Sequence, residues 1–349
     1  MGLIRATALL ILLAGPAAAE TLRVATWSPD LSRKGPGLLL KDIRSGKDDQ
    51  IAAAVRIIQA ADADVLLLTG FDWDHDGIAL QAFAMLLDQA GASYPHRFAA
   101  QPNSGVPSGL DLDGDGRTGT GDDAQGFGLF TGQGGMAILS RLPLGPVTDH
   151  SAVLWRDQQG NLMPQTPAAV AAVQRLSSTA HWDVPVTVGA TTLRLLAFSA
   201  TPPVFDEPVT DRNGRRNHDE IVFWASHLPD APFVILGDFN LDPVDGEGRR
   251  EAFDRLLPHV QDPAPVSGGG RLAPQTGANA IQKGDPARDT AQWAAADGPG
   301  SLRVDMILPA RGLTVTDSGV LWPAPDQPLA QDAATASRHR LVWVDLALP

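Results

Sequence analysis

Two polar side chains, Asp238 and Asn240, follow a short apolar run and are separated by a single residue. The run, from Phe233 to Leu236, is apolar and contains β-branched residues, which predicts a strand that is buried on both faces. Residues two apart on an extended chain point to the same side, so this carboxylate and this amide are expected to face together. Because α/β enzymes place ligands at the carboxyl ends of buried strands, the pattern predicts a binding or catalytic site here.

A second carboxylate, Asp305, lies inside an otherwise apolar segment that runs from Leu302 to Pro309. A charged group in such a strand needs a hydrogen-bonding or ionic partner, because an unpaired buried charge is costly. Asp305 is therefore expected to pair with a polar side chain from elsewhere in the chain.

The sequence Gly-Asp-Phe-Asn at 237–240 resembles the core motif of the endonuclease/exonuclease/phosphatase superfamily, whose members are metal-dependent phosphoesterases. Further segments resemble that superfamily's motifs in the same order: the string at 133–143 that ends Ser-Arg-Leu-Pro, Arg-Val-Asp at 303–305, and Ser-Arg-His at 337–339. The motifs extend from Leu22 to Asp345. The resemblance implies an α/β fold: a four-layer sandwich of two packed, mainly antiparallel β-sheets flanked by helices.

The resemblance also implies roles for four residues. Asp305 would hydrogen-bond His339 and orient it, Asp238 would activate a water molecule, and Asn240 would bind the phosphate. The implied activity is hydrolysis of a phosphoester bond, either a diester or a monoester.

Four positions depart from the superfamily pattern. The family's metal-binding Asn and Glu correspond to Ser28 and Gly70, its phosphate-binding His to Ser199, and the Asp before its catalytic His to Arg338. A Mg²⁺ or Mn²⁺ ion at the catalytic site would therefore depend on Asp238 and on Asp72, which follows Gly70 by two residues and faces the same side.

These departures leave three interpretations open. The chain is an active phosphoesterase with a weakened or relocated metal, or a variant in which the Arg338 guanidinium replaces the metal's charge. Alternatively, it is a catalytically inactive member that binds a phosphate or another anion. A salt bridge from Arg338 to Asp238 would favour the inactive interpretation.

A basic cluster precedes a predicted helix from Ile221 to His227. Its arginines, Arg212, Arg215 and Arg216, are candidates for substrate or anion binding together with Arg338. The alternative is that they form ion pairs with the neighbouring acidic residues.

The segment from Asp111 to Asp122 has the spacing of a calcium-binding loop. Asp111, Asp113 and Asp115 occupy its first, third and fifth positions, a glycine the sixth, and Asp122 the twelfth. Arg117 would supply a backbone carbonyl. We interpret the segment as a structural Ca²⁺ site; the alternative is an acidic turn without an ion.

The N-terminal segment predicts export. Residues 1–19 combine Arg5, an apolar run and an Ala-Ala-Ala cleavage site, which is typical of a signal peptide, and residues 20–349 are expected to form a single domain. The mature protein is therefore expected to be periplasmic or secreted, without a membrane span.

The net charge of −13 disfavours long nucleic acid as a partner and leaves a small phosphorylated substrate or anion. The sequence has no cysteine, so no disulfide contributes to its stability.

Overall fold

The computed structural model describes residues 21–206 and 209–348; the predicted signal peptide, residues 1–19, lies outside them. Within the described ranges, the strands are β1 (Thr21–Trp27), β2 (Val65–Phe71), β3 (His96–Phe98), β4 (Gly135–Ser140), β5 (Thr148–Asp149), β6 (Ala180–Val188), β7 (Thr191–Ser199), β8 (Phe233–Asp238), β9 (Ala291–Gln292), β10 (Ser301–Leu302), β11 (Asp305–Pro309), β12 (Thr314–Leu321) and β13 (Leu341–Ala347). The helices are α1 (Leu38–Ser45), α2 (Asp49–Ala61), α3 (Ile78–Gln89), α4 (Ala168–Ala171), α5 (Arg212–Phe223), α6 (Ala252–Leu256), α7 (Gly268–Arg271) and α8 (Ala330–Ala336).

The strands form two large mixed sheets. The six-stranded sheet has the order β12-β13-β1-β2-β4-β3, and the five-stranded sheet has the order β11-β8-β7-β6-β5. In the described part of the two sheets, the β1–β2 and β7–β8 pairs are parallel. The other neighbouring strands in these sheets are antiparallel. The prediction of an α/β fold with two mainly antiparallel sheets is therefore confirmed.

Three hydrophobic clusters hold the layers together. One cluster lies between the two sheets and contains inward-facing residues of both, such as Val24 and Leu236. A second packs α2 and α3 against the outer face of the six-stranded sheet through residues such as Ile57 and Phe83. The third packs α5 and α6 against the outer face of the five-stranded sheet. Burial of apolar surface in these clusters, at about 25 cal/mol per Å², is the main stabilising contribution to the fold.

Helix α5 begins earlier than the sequence indicated. The predicted helix from Ile221 to His227 is in fact a helix over Arg212–Phe223 that continues into a 3₁₀ turn, Trp224–Ser226. The basic cluster thus lies inside the helix. Buried polar side chains on this helix, such as Asn217 and Glu220, hide the apolar periodicity by which a helix is recognised.

A long segment rich in Gly, Pro and Ala lies between Pro263 and Pro299. It carries α7 and β9, and β9 pairs with β10 in a small two-stranded sheet. No helix in the described ranges is both long enough and apolar enough to cross a membrane.

Candidate active site

Strand β8 places Asp238 at its carboxyl end, with Ser199 of β7 on one side and Asp305 of β11 on the other. The turn that follows depends on Gly237, whose φ of 146° is accessible to glycine. A Cβ atom at this position would lie 1.8 Å from the carbonyl oxygen of Phe198. The chain can therefore pass close to β7 at this point only because residue 237 is glycine.

Asp305 and His339 form the predicted pair. The Nδ1 atom of His339 lies 2.8 Å from Oδ2 of Asp305, and both side chains are buried. Asp238 lies beside them: one ligand atom from each of the three side chains falls within 4.8 Å of the others. The strands thus bring together three residues that are up to 101 positions apart in the sequence, 238 to 339.

The pKa values of Asp238 and His339 are both shifted by their surroundings. Burial and the neighbouring Asp305 charge raise the pKa of Asp238 to about 7. Burial opposes the charge on His339, but the attraction of Asp305 and its hydrogen bond outweigh burial and raise the pKa of His339 to about 9. Near neutral pH, His339 is therefore an imidazolium, whereas Asp238 is present in both its protonated and its ionised form.

Asn240 lies next to this group in a left-handed backbone conformation, with φ of 49°. Its backbone N–H donates to Oδ1 of Asp238 at 2.9 Å, and its side-chain amide donates to the carbonyl of Ala200 at 2.9 Å. These bonds fix Asn240 at the rim of a cavity of about 920 Å³, which Asp238 and His339 also line.

Arg338 lines the same cavity, but its ion pair is with Asp30, at 3.7 Å, and not with Asp238. Its side chain is 61% exposed. The carboxylate of Asp238 is therefore not neutralised by Arg338, and the salt bridge that would have favoured the inactive interpretation is absent from the described ion pairs.

Ser28, which directly follows β1, and Gly70 of β2 are the positions predicted to correspond to the family's Asn and Glu, and they are neighbours. A Cβ atom at Gly70 would lie 3.0 Å from Oγ of Ser28, and Gly70 has a φ of 62°. The two replacements therefore act on one spot, where a serine hydroxyl stands in place of a carboxylate and an amide.

Asp72 is engaged elsewhere. Its carboxylate accepts hydrogen bonds from the Ser32 hydroxyl and from the backbone N–H groups of Arg33 and Gly134. It lines a cavity other than the one above His339. The structure thus gives Asp72 a role in fixing loops, and its prediction as a metal ligand finds no support in this geometry.

Two arginines of the basic cluster are also structural. Arg216 is 4% exposed, and its guanidinium donates to the backbone carbonyls of Leu176, Gln125, Arg175 and Ser177. Arg215 donates to the carbonyls of Thr210 and Leu162. These contacts correct the expectation of an anion site at Arg216, whose buried guanidinium already donates to four carbonyls. Arg215 keeps further N–H groups, and its role in anion binding stays a prediction. Burial lowers the pKa of Arg212, and neither it nor the other two lines the cavity above His339.

The predicted calcium loop brings three carboxylates together. One carboxylate oxygen from each of Asp111, Asp113 and Asp115 lies within 4.8 Å of the others. Asp122 is outside this cluster, while the neighbouring Asp123 is buried and binds the backbone N–H groups of Leu112 and Thr120. The loop is separate from the cavity above His339, and its ion remains a prediction.

Thr290, which was not predicted from the sequence, binds the backbone of the segments that carry Asp305 and His339. Its hydroxyl accepts hydrogen bonds from the backbone N–H groups of Val304 and Asp305, at 3.0 and 2.9 Å. Its carbonyl accepts the N–H of Arg340 at 2.6 Å. Nothing in the local sequence marks a lone threonine in a Gly- and Pro-rich segment as a contact of this kind.

The two sheets pack face to face, with an Asp–His pair and a further carboxylate at one end. The chain belongs to the endonuclease/exonuclease/phosphatase family, whose model matches residues 42–339. Family membership supports a hydrolase of the phosphoesterase and nuclease type.

Solved structures of this family share the fold at low sequence identity. An endonuclease/exonuclease/phosphatase from Beutenbergia cavernae superimposes with a TM-score of 0.55 at 18% identity, over 94% of this chain and 72% of that chain. A family protein from Leptotrichia buccalis gives a TM-score of 0.53 at 12% identity, over 94% of this chain and 100% of that chain. No curated protein matches the sequence significantly. At these identities, the structures establish the fold alone.

Proposed function

We propose that this protein hydrolyses a phosphoester bond in the cavity above Asp238 and His339. The observation that carries the proposal is the 2.8 Å contact between His339 and Asp305, beside an Asp238 carboxylate that has no cationic partner among the described ion pairs. An oriented imidazolium next to a carboxylate of near-neutral pKa supplies both an acid and a base for hydrolysis.

Each side chain has one task in this reaction. Asp238 accepts a proton from the attacking water, whose oxygen forms the new bond to phosphorus. His339 donates its proton from Nε2 to the leaving oxygen as the phosphorus–oxygen bond breaks, while Asp305 fixes the ring through Nδ1. The products are an alcohol and a phosphoester with one ester group fewer.

Asn240 and Arg338 bind the phosphate in this proposal. The Asn240 amide keeps one N–H beyond the bond it donates to Ala200, and the exposed Arg338 brings positive charge to the same cavity.

The family is usually metal-dependent, and the residues present fit a divalent cation. Oδ1 of Asp305 is buried and has no hydrogen-bond partner in the described part of the chain, and the Asp305 carboxylate lies in the same cluster as Asp238 and His339. Asp238 and Asp305 offer two buried carboxylates, which Mg²⁺ and Mn²⁺ both accept, whereas His339 as an imidazolium donates from both ring nitrogens and is not a ligand. A bound cation would neutralise the phosphate charge.

The test compares hydrolysis of bis(p-nitrophenyl) phosphate by the wild type, His339→Ala and His259→Ala, with Mn²⁺ and with a chelator. His259 is exposed and lies outside the cavity, so its substitution controls for the loss of a histidine. We expect His339→Ala to lose about a hundredfold in kcat and His259→Ala to match the wild type. Equal rates in all three proteins would contradict the proposal.

A second candidate function, an anion-binding protein without catalysis, is favoured by one observation: Ser28 and Gly70 lack the metal-binding groups of the family. Calorimetric binding of a phosphodiester by the wild type, with no product formed with or without Mn²⁺, would support this second function and not the first.

We also propose that the protein is exported, on the basis of the signal-like residues 1–19. Mass spectrometry of the protein from a secreting host should find a mature chain that begins at Glu20. An intact Met1 in the extracellular or periplasmic fraction would contradict cleavage at this site.

A further inference from the structure

The cavity above His339 has an exposed apolar wall. Phe205 is 89% exposed and Ile281 is 82% exposed, and both line this cavity although they come from different loops. Large apolar side chains that are exposed together at a cavity commonly mark a site that binds an apolar group.

The apolar wall begins at the catalytic residues. The ring of Trp293 meets the ring of His339 edge to face, with 5.4 Å between their centroids and an interplanar angle of 81°. Trp293 lines the same cavity as Phe205 and Ile281. A phosphate held at His339 therefore has apolar side chains within reach of its ester substituent.

Most of the charged residues in the rest of the described lining are acidic. Asp245, Glu247 and Asp297 contribute carboxylates to the cavity, and Arg338 is the one arginine or lysine among its described lining residues. Such a cavity attracts one phosphate charge near Arg338 and repels further negative charge close by. A polynucleotide, which carries a phosphate at every residue, is disfavoured.

We propose that the substrate is a small phosphodiester with a single negative charge and a bulky apolar substituent that packs on Phe205, Ile281 and Trp293. A monoester carries up to two negative charges at neutral pH and fits this acidic cavity less well. The inference rests on the proposed hydrolysis, since it assigns the substrate class of the same cavity.

The experiment measures calorimetric binding of three diesters: dimethyl phosphate, hexyl methyl phosphate, and 5-carboxypentyl methyl phosphate, which has the length of the hexyl ester and one more charge. We expect the hexyl ester to bind about tenfold more tightly than the dimethyl ester, because its chain leaves water for an apolar surface. The carboxylate analogue should lose most of that gain.

Variants assign the effect to this wall. The double variant Phe205→Ala with Ile281→Ala should bring the hexyl-to-dimethyl affinity ratio close to one. The matched control is Phe127→Ala, an exposed phenylalanine, 65% accessible, outside this cavity, which should keep the wild-type ratio. All the substituted side chains are largely exposed, so the fold is expected to persist.

Chromatography of the released alcohols separates this inference from the proposed function. Tighter binding of the hexyl ester together with its hydrolysis supports both. Tighter binding without alcohol release contradicts the hydrolysis and, with it, the assignment of a substrate. Equal affinity for the three esters, or an unchanged ratio in the double variant, overturns the substrate class even if all three esters are hydrolysed.

Discussion

The protonation state of His339 depends mainly on one neighbour, Asp305. Their 2.8 Å contact holds the imidazole proton on Nδ1 and leaves Nε2 for the cavity. Because the Asp305 charge is the main favourable influence on the protonated ring, removing it should lower the pKa of His339 from about 9.

Asp305→Asn should therefore reduce kcat by about a hundredfold at pH 7 and move the alkaline limb of the pH–rate profile to lower pH. The sign follows from the proposed role: His339 acts as an acid, and activity is lost as pH rises through its pKa. Rate profiles between pH 5 and pH 10 provide the measurement. Asp332→Asn, which removes a carboxylate from a surface pair with Arg56, should leave the profile unchanged. An unaltered alkaline limb in Asp305→Asn would contradict the pairing.

The ionised form of Asp238, which the proposed reaction requires, destabilises the folded protein. Burial and the nearby Asp305 charge raise its pKa to about 7, so the folded state disfavours the carboxylate. For a raised pKa, the stabilising contribution is present below the unfolded value and is lost as pH rises through the folded one. At pH 8, Asp238 is therefore charged and destabilising.

Asp238→Asn should remove this unfavourable charge while keeping the oxygen that accepts the Asn240 N–H. We expect loss of hydrolysis together with a gain on the order of 2 kcal/mol in the free energy of unfolding at pH 8. The gain should disappear at pH 4, where the wild-type carboxyl is already protonated. Chelator-treated protein melted at both pH values measures it, and a variant that is less stable at pH 8 would contradict the assignment.

At the level of elements, the segment that carries β9 clamps the strands of the active site. Thr290 binds backbone groups of Asp305 and Arg340, and the N–H of Gln292 donates to the carbonyl of Arg338 at 2.9 Å. Through Thr290 and Gln292, the segment thus fixes the spacing between Asp305 and His339.

Thr290→Val keeps the side-chain volume but leaves the N–H groups of Val304 and Asp305 without their acceptor. We expect a loss of about 2 kcal/mol in the free energy of unfolding and a fall in kcat with little change in KM. Thr290→Ser, which keeps the hydroxyl, should recover both, and Thr316→Val at an exposed edge position is the control for the substitution itself. Recovery of stability without recovery of kcat in Thr290→Ser would contradict the positioning role.

The strands that carry the site could be predicted, because their information is local. The apolar run at 233–236 and the motif that follows it predict both β8 and the position of Asp238. The Asp305–His339 pairing followed from the family resemblance and from the cost of an unpaired buried charge. The role of Arg216 could not be predicted, since four carbonyls from distant loops satisfy its guanidinium. Strands of two residues such as β9 carry too little periodicity to be recognised.

At the scale of the whole molecule, two acidic clusters in the described part of the chain are candidates for cation binding, and they differ in burial. Asp238, Asp305 and His339 are buried at the end of the sandwich, whereas Asp111, Asp113 and Asp115 lie in a loop and are largely exposed. Within the loop, the Asp111 carboxylate already accepts the N–H groups of Gly114 and Gly116. Ca²⁺ and Mn²⁺ should therefore distinguish the two clusters, because Ca²⁺ takes many oxygen ligands in a flexible loop, whereas a smaller ion suits the two buried carboxylates of Asp238 and Asp305.

Calorimetric titration of chelated mature protein tests this division. We expect one Ca²⁺ event that Asp111→Ala with Asp115→Ala abolishes and Asp238→Ala leaves intact, and one Mn²⁺ event with the opposite dependence. Because a ligand that binds only the folded state stabilises it, Ca²⁺ at a hundred times its Kd should add about 2.7 kcal/mol to the free energy of unfolding in the Asp238→Ala variant. If Ca²⁺ binds but neither Mn²⁺ nor Mg²⁺ does, no cation binds in the cavity above His339. Arg338 must then supply the positive charge for the phosphate, and Arg338→Ala should abolish phosphodiester binding. If Mn²⁺ binds and Asp238→Ala abolishes that binding, the cavity still holds a cation through its carboxylates. The replacements at Ser28 and Gly70 would then not have removed the metal site.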